Sequence, residues 1–122
     1  EQLGGLLMQI KVNGKDVNLN FGVRFIRELD QKAGLTLTIQ GIKQNFGMAL
    51  TKVIPALQSY DVAVLAELLY CAAWDNQKRP SLSDIDAFLD DTNTDIDKLF
   101  DDVQKELKSS NAARTATKNL KA

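Results

Sequence analysis

Residues Met8–Phe21 read MQIKVNGKDVNLNF, and this stretch decides how the fold begins. Met8, Ile10 and Val12 alternate with polar residues, Asn13-Gly14 interrupts, and Val17, Leu19 and Phe21 resume the alternation. Alternation of this kind is the period of a half-buried strand. Asn-Gly is the dipeptide that accepts the two positive φ angles of a type I′ turn, whose twist matches that of the flanking strands. A two-residue turn there sets the register: Val12 faces Lys15, Lys11 faces Asp16, Ile10 faces Val17, and Met8 faces Leu19. One face gains apolar cross-strand pairs and the other an opposite-charge pair. A lone hairpin is marginal in water, so its apolar face must lie on the rest of the chain.

The remainder of the chain is mostly helical by pattern. Over Val23–Ala33, Phe25, Ile26, Leu29 and Ala33 form one stripe while Arg24, Arg27, Glu28, Gln31 and Lys32 face away, and Gly34 is the expected stop. Leu35–Ile39 alternates like a short third strand on the hairpin's edge. Ile42–Phe46, between Gly41 and Gly47, carries no decisive pattern. Met48–Leu57 is helical, with Pro55 expected to kink or break it for want of an N–H. Ser59 is the expected cap of the next helix, with Asp61 in its first turn. From Val62 to Trp74 the only charge is Glu67, which marks a central helix or one that also meets a partner. Its Leu65, Leu68 and Leu69 are expected in the core.

Asp75–Pro80 is a polar connection, and Ser81-Leu82-Ser83-Asp84 resembles a capping box. The helix it opens turns Leu82, Ile85, Phe88 and Leu89 inward. Thr94 is the expected cap of a last helix striped by Ile96, Leu99, Phe100, Val103 and Leu107. The fold class is α+β: an N-terminal hairpin, with room for a third short strand, packed on a bundle of four to five helices. Residues 8–110 form the expected single domain. Glu1–Leu7 precede a methionine that reads as a native start, so they are expected to be a flexible or non-native lead. Residues 111–122 hold one large apolar residue, Leu120, and are expected to be a disordered basic tail.

Composition removes whole classes of function. The chain has 122 residues, 44% hydrophobic and 25% charged, the profile of an ordinary globular domain. There is no histidine, which takes away the commonest general base and the commonest metal ligand together. Cys71 stands in an apolar run, where a buried, inert thiol is expected. No apolar stretch reaches the roughly 20 residues that span a bilayer, so no membrane is expected as a partner and a cytoplasmic setting is. Net charge is −1 but unevenly spread: residues 84–106 carry nine acidic side chains against Lys98 and Lys105, while residues 107–122 carry four basic ones and no acidic one. Phosphates would be repelled from the acidic segment, so nucleic acid is not an expected partner there. A solvated helix face is the plainer explanation of that segment.

The chemical motifs are weak against their structural alternatives. Asp91, Asn93, Asp95, Asp97 and Asp102 echo the spacing of a calcium loop, but Ile96 replaces the glycine of its sharp turn and Asp102 the longer glutamate. Ile96 and Leu99 also serve a good apolar stripe. The pairs Asp90-Asp91 and Asp101-Asp102 read as exposed neighbours with nothing to raise a pKa. The serines have capping work and no partner base. No glycine-rich phosphate loop is present. Trp74 beside Lys78-Arg79 is better explained as a tryptophan at the core's edge than as a nucleic-acid site. No catalytic residue, metal site or cofactor is expected.

Several stretches together resemble the tail assembly chaperones of long-tailed phages that infect Gram-positive bacteria. These are Ile10–Phe21 running into Phe25–Asp30, Gly47–Leu57 followed by Leu65–Trp74, Lys78–Ser81, and DIDKLFDDVQKELKSS at Asp95–Ser110 with its basic tail. The resemblance covers nearly the whole chain from Met8, and the order of the pieces carries it. It implies a non-enzymatic factor in the host cytoplasm, absent from the finished virion, that binds the tape measure protein and helps tail tube protein assemble around it. It also implies a longer form made by ribosomal frameshifting, of which this chain is the short version; self-association is compatible with it. Phe46, Met48 and Trp74 are the expected partner-binding residues, with burial in the core the competing role for each. The alternative is a minor structural protein of the virion, a head–tail connector or tail component.

Overall fold

A computed structural model describes the backbone of residues 7–39 and 47–118, and side chains over 8–32 and 47–118. Strands β1 (Leu7–Val12) and β2 (Lys15–Asn20) pair antiparallel in the expected register, with Met8 opposite Leu19, Ile10 opposite Val17, Lys11 opposite Asp16 and Val12 opposite Lys15. Asn13 and Gly14 take φ of 54° and 76°, as the type I′ turn requires. Ile10, Val12, Val17 and Leu19 are buried on one face. On the other, Lys11 and Asp16 approach to 3.5 Å in the open, where an ion pair contributes little. Leu7 belongs to β1, opposite Asn20, and not to the lead.

Among the described residues six helices come after the hairpin: α1 (Val23–Ile39), α2 (Met48–Gln58), α3 (Val62–Ala72), α4 (Leu82–Asp90), α5 (Ile96–Ser109) and α6 (Asn111–Ala116). The architecture is α+β, with a two-stranded sheet among the described residues. Helix α3 is central: Leu65, Leu68, Leu69, Cys71 and Ala72 are all fully buried, as their apolar run foretold. It packs against α1, α2, α4 and β2.

Several expectations need correcting. Gly34 does not stop α1, and Leu35–Ile39 is its last turns instead of a third strand. A helix already running gains a hydrogen bond with each residue, and glycine costs it only about 1 kcal/mol. Five alternating residues are too few to outweigh that. Pro55 does not break α2, which continues to Gln58. It is exposed, so the carbonyl four residues back that loses its partner lies on the same, wet face. Asp61, not Ser59, caps α3 by accepting from the Val64 N–H at 3.1 Å, and Ser59 closes α2 instead. Asp95, not Thr94, caps α5 through the Lys98 N–H at 3.0 Å, while the Thr94 hydroxyl donates to the Phe88 carbonyl. In both places a carboxylate nearer the helix takes the work. Helix α3 ends at Ala72, so Trp74 lies beyond it.

The capping box of α4 forms as its sequence predicts: Ser81 and Asp84 each accept from the other's backbone N–H, at 3.0 and 3.1 Å. The expected disorder after residue 110 does not hold over Asn111–Ala116, which forms α6 against α1, α2 and α5. Ser110 is the hinge and the cap of that turn. It is the one buried polar residue among those described; its hydroxyl donates to the Phe21 carbonyl at 2.8 Å and accepts from the Ala113 N–H at 3.2 Å. Composition missed α6 because its contacts use small residues. Ala113 is buried, and Ala116 sits so close to Gly47 that a Cβ there would overlap its methyl group.

Candidate partner-binding surface

Three surface regions carry the side chains that a partner would meet. The first lies where α1, α3 and the 75–80 loop converge. Glu28 on α1 receives both a 2.8 Å and a 2.9 Å hydrogen bond from Arg79, and one at 3.2 Å from Arg24 a turn earlier. Burial alone would raise the Glu28 carboxyl, but the Arg79 hydrogen bonds and charge, with Arg24 behind them, outweigh it and hold the group below the usual carboxylate range. Arg79 also stacks 4.7 Å from the centre of the Tyr70 ring, with Lys32 at 5.2 Å. Trp74 stands at the border of this cluster, half-buried. Its indole N–H donates to the Asn20 carbonyl at 3.1 Å, and Arg24 lies 5.5 Å from its ring. Trp74 thus seals the outer edge of β2.

Met48 opens α2. Gly47 before it has φ of 83° and no side chain, so Asp30 of α1 supplies the missing cap, accepting from the Gly47 and Ala49 N–H groups at 2.7 and 3.1 Å. A carboxylate at a helix N-terminus also meets the positive end of the helix dipole. The start of α2, on either side of Met48, and the Trp74 ring therefore meet α1 at Asp30 and Arg24 respectively. Six residues apart, these lie about 9 Å along the helix and about a third of a turn around it. Met48 and Trp74 are each half-buried. Phe46 lies outside the described residues.

The third region is apolar and was not foreseen. A groove between α2, α5 and α6 is lined by Ile54, Leu57, Leu107, Ala113 and Thr117, with Gln58, Gln104 and Lys108 around it. Just past the end of α2, Tyr60 and Val62 are 59% and 41% exposed, the former held edge-on to Phe100 at 5.2 Å. Tyr60 takes φ of 62°, an uncommon value for a residue with a side chain. The sequence offered two signals for this corner: a tyrosine and a valine flanking a helix cap, and α2 carrying Ile54 and Leu57 toward the chain's end.

Burial pushes the Cys71 thiol up to about 12, so at neutral pH it is a protonated core side chain. The Asp91–Asp102 segment uses its carboxylates locally: Asp91 accepts from the Asn93 N–H, Asp95 caps α5, and Asp102 pairs with Lys98 at 2.7 Å. Among the described residues no three acidic or thiol side chains converge, and no helix is long and apolar enough to cross a membrane.

Comparison with known proteins adds the name that geometry alone does not. No curated protein and no solved structure matches the chain. A family model described as phage tail assembly chaperone protein, TAC, matches residues 9–121, from within β1 through the whole of α6. With a match over nearly the entire described fold, the chain belongs to the phage tail assembly chaperone family.

Proposed function

We propose that this chain is a non-enzymatic chaperone that binds the tape measure protein and holds it soluble while tail tube subunits assemble around it. The observation that carries this reading is the extent of the family match, which takes in the hairpin and all six helices. A second support is the groove between α2, α5 and α6. An apolar floor with an amide and ammonium rim suits the apolar stripe of an amphipathic helix, the kind of segment that a long coiled protein presents. Met48 and Trp74, each half-buried, are further contact candidates on other faces. The chain acts in the host cytoplasm and leaves before the virion is complete, and a frameshifted longer form would extend it beyond α6.

Co-expression with the tape measure protein of the same phage tests this. The tape measure protein should move from the insoluble to the soluble fraction and co-purify with the chain. If its solubility is unchanged, tape measure binding is wrong. Mass spectrometry of purified virions should find none of this chain. A constant copy number per particle would favour the minor structural protein instead.

A further inference from the structure

The hairpin has two outer edges, and the fold treats them differently. On β2 both outward backbone groups of Asn18 and the outward carbonyl of Asn20 are occupied. Asn18 donates its N–H to the Asn76 side-chain oxygen at 2.9 Å and accepts from the Asn76 amide at 2.8 Å, and the Asn20 carbonyl accepts from the Trp74 indole. Asn76 thus mimics a neighbouring strand, one of the ways proteins protect an exposed edge. In an antiparallel ladder, opposed residues share the same orientation, so Gln9, opposite Asn18, turns its own N–H and C=O away from β2. Lys11, two residues on, does the same. Neither main chain meets a hydrogen-bond partner among the described residues, and both residues are exposed.

Beside this open edge runs a groove. Met8, Phe88 and Leu99 give it apolar surface, and Asp95 and Asp102 stand at its side with Lys98 between them. It borders the 84–106 segment, in which nine acidic side chains face two basic ones. We infer that the open edge of β1 is a second client-binding site, which takes an extended segment of alternating apolar and basic residues as a third strand. The segment's backbone pairs with Gln9 and Lys11, its apolar side chains enter the groove, and its basic ones meet Asp95 through the oxygen that the α5 cap does not use and share Asp102 with Lys98. Charge decides against a second copy of this chain as the occupant. Pairing two β1 edges would bring two acidic 84–106 segments toward each other, and like charges oppose that. The inference rests on the chaperone reading only in taking the segment to belong to a client.

The test uses the full chain and a defined probe. An acetylated, amidated heptapeptide of alternating lysine and valine is added, and amide hydrogen exchange is followed residue by residue; the glutamate–valine peptide is the comparison. At peptide concentrations about ten times Kd, exchange of the Gln9 and Lys11 amides should slow about tenfold. The acidic peptide should leave both nearly unchanged. Gln9→Pro removes an outward N–H without touching the β1–β2 ladder, and should abolish the protection at Lys11 while the melting temperature stays near the parent's. Asp102→Asn, which leaves the strand intact, should raise Kd for the basic peptide about two- to fivefold. Absence of protection at Gln9 and Lys11, or equal protection by both peptides, would overturn the inference. Protection that grows with the chain's own concentration, without peptide, would overturn the occupant by showing a second copy there. Because no tail protein enters this experiment, its failure leaves the co-expression result standing, and the reverse.

Discussion

Ser110→Ala should be among the most damaging single-atom changes in this chain. The hydroxyl bridges two ends of the fold, donating to the carbonyl of Phe21 where the hairpin runs out and accepting from the N–H of Ala113 in the first turn of α6. Loss of an N-cap costs about 0.5–2 kcal/mol. Leaving a buried carbonyl without its donor costs about 1–3 kcal/mol more. The central expectation is about 3 kcal/mol, which for a domain of this length lowers Tm by about 12 °C. Differential scanning calorimetry on the parent and the variant reads it directly.

A second chain, cut after Asn111, separates the two shares. It lacks Ala113 and so has no cap to lose, and the Phe21 carbonyl is then closer to water. The cut should itself lower Tm, through the lost burial of Ala113 and Ala116. In that background Ser110→Ala should cost clearly less than in the full chain, a coupling of about 1 kcal/mol or more. If the variant of the full chain melts within about 2 °C of the parent, or if the two changes add without coupling, Ser110 does not join the hairpin to α6.

Three other outcomes can be checked by measurements of the same kind. Gly47→Ala should destabilise by more than about 2 kcal/mol, because the new methyl group overlaps Ala116 and the φ of 83° is strained for any residue with a Cβ; stability equal to the parent's would place α6 elsewhere. Leu68→Ala, at a fully buried site, should cost about 2–5 kcal/mol in chemical denaturation, with a midpoint shift and little change in slope. Glu106 has a buried oxygen without a partner, and its carboxyl is raised, first by burial and then by the nearby charge of Asp102. A carboxyl raised in the folded state is more costly ionised than in the unfolded chain, so its contribution to stability falls as pH rises from its unfolded pKa through its folded one. Glu106→Gln should therefore stabilise at pH 7 by up to about 1 kcal/mol and the gain should vanish in acid; a gain independent of pH would refute the cause given.

Legibility in the sequence followed the strength of local chemistry. Asn13-Gly14 admits one turn, and a two-residue turn admits one register, so the hairpin could be read to the individual pair. The Ser81–Asp84 box and the Leu65–Leu69 core were legible for the same reason: each is a local pattern with one good solution. The caps of α3 and α5 lie one or two residues from where the sequence suggests, because Ser59 and Thr94 compete with Asp61 and Asp95 and only the helix's starting angle decides between them. Long-range decisions were not legible at all. Asp30 capping α2 from 17 residues away, Asn76 closing the edge of β2, and Arg79 reaching back to Glu28 all depend on which elements become neighbours.

The same distinction explains why the partner-binding residues were hard to choose from the sequence. Trp74 is the largest side chain near the chain's polar loops, and size made it a natural anchor. In the fold its indole is already engaged with Asn20 and its ring with Arg24, so a partner using it would share a side chain that also closes the β2 edge. Tyr60 and Val62 carry no distinguishing pattern in the sequence, yet the turn between α2 and α3 holds both at the surface, beyond a groove floored by Ile54, Leu57 and Leu107. That groove exists only because α6 docks, and α6 docks through Gly47, Ala113, Ala116 and a single serine. Its walls are therefore as stable as that small contact. Any change that releases α6, Ser110→Ala among them, should weaken helix binding at the groove while leaving the distant β1 edge able to pair. Comparing a helical client with the extended peptide on one Ser110→Ala sample would show whether the two surfaces are independent, and equal loss at both would mean that they are not.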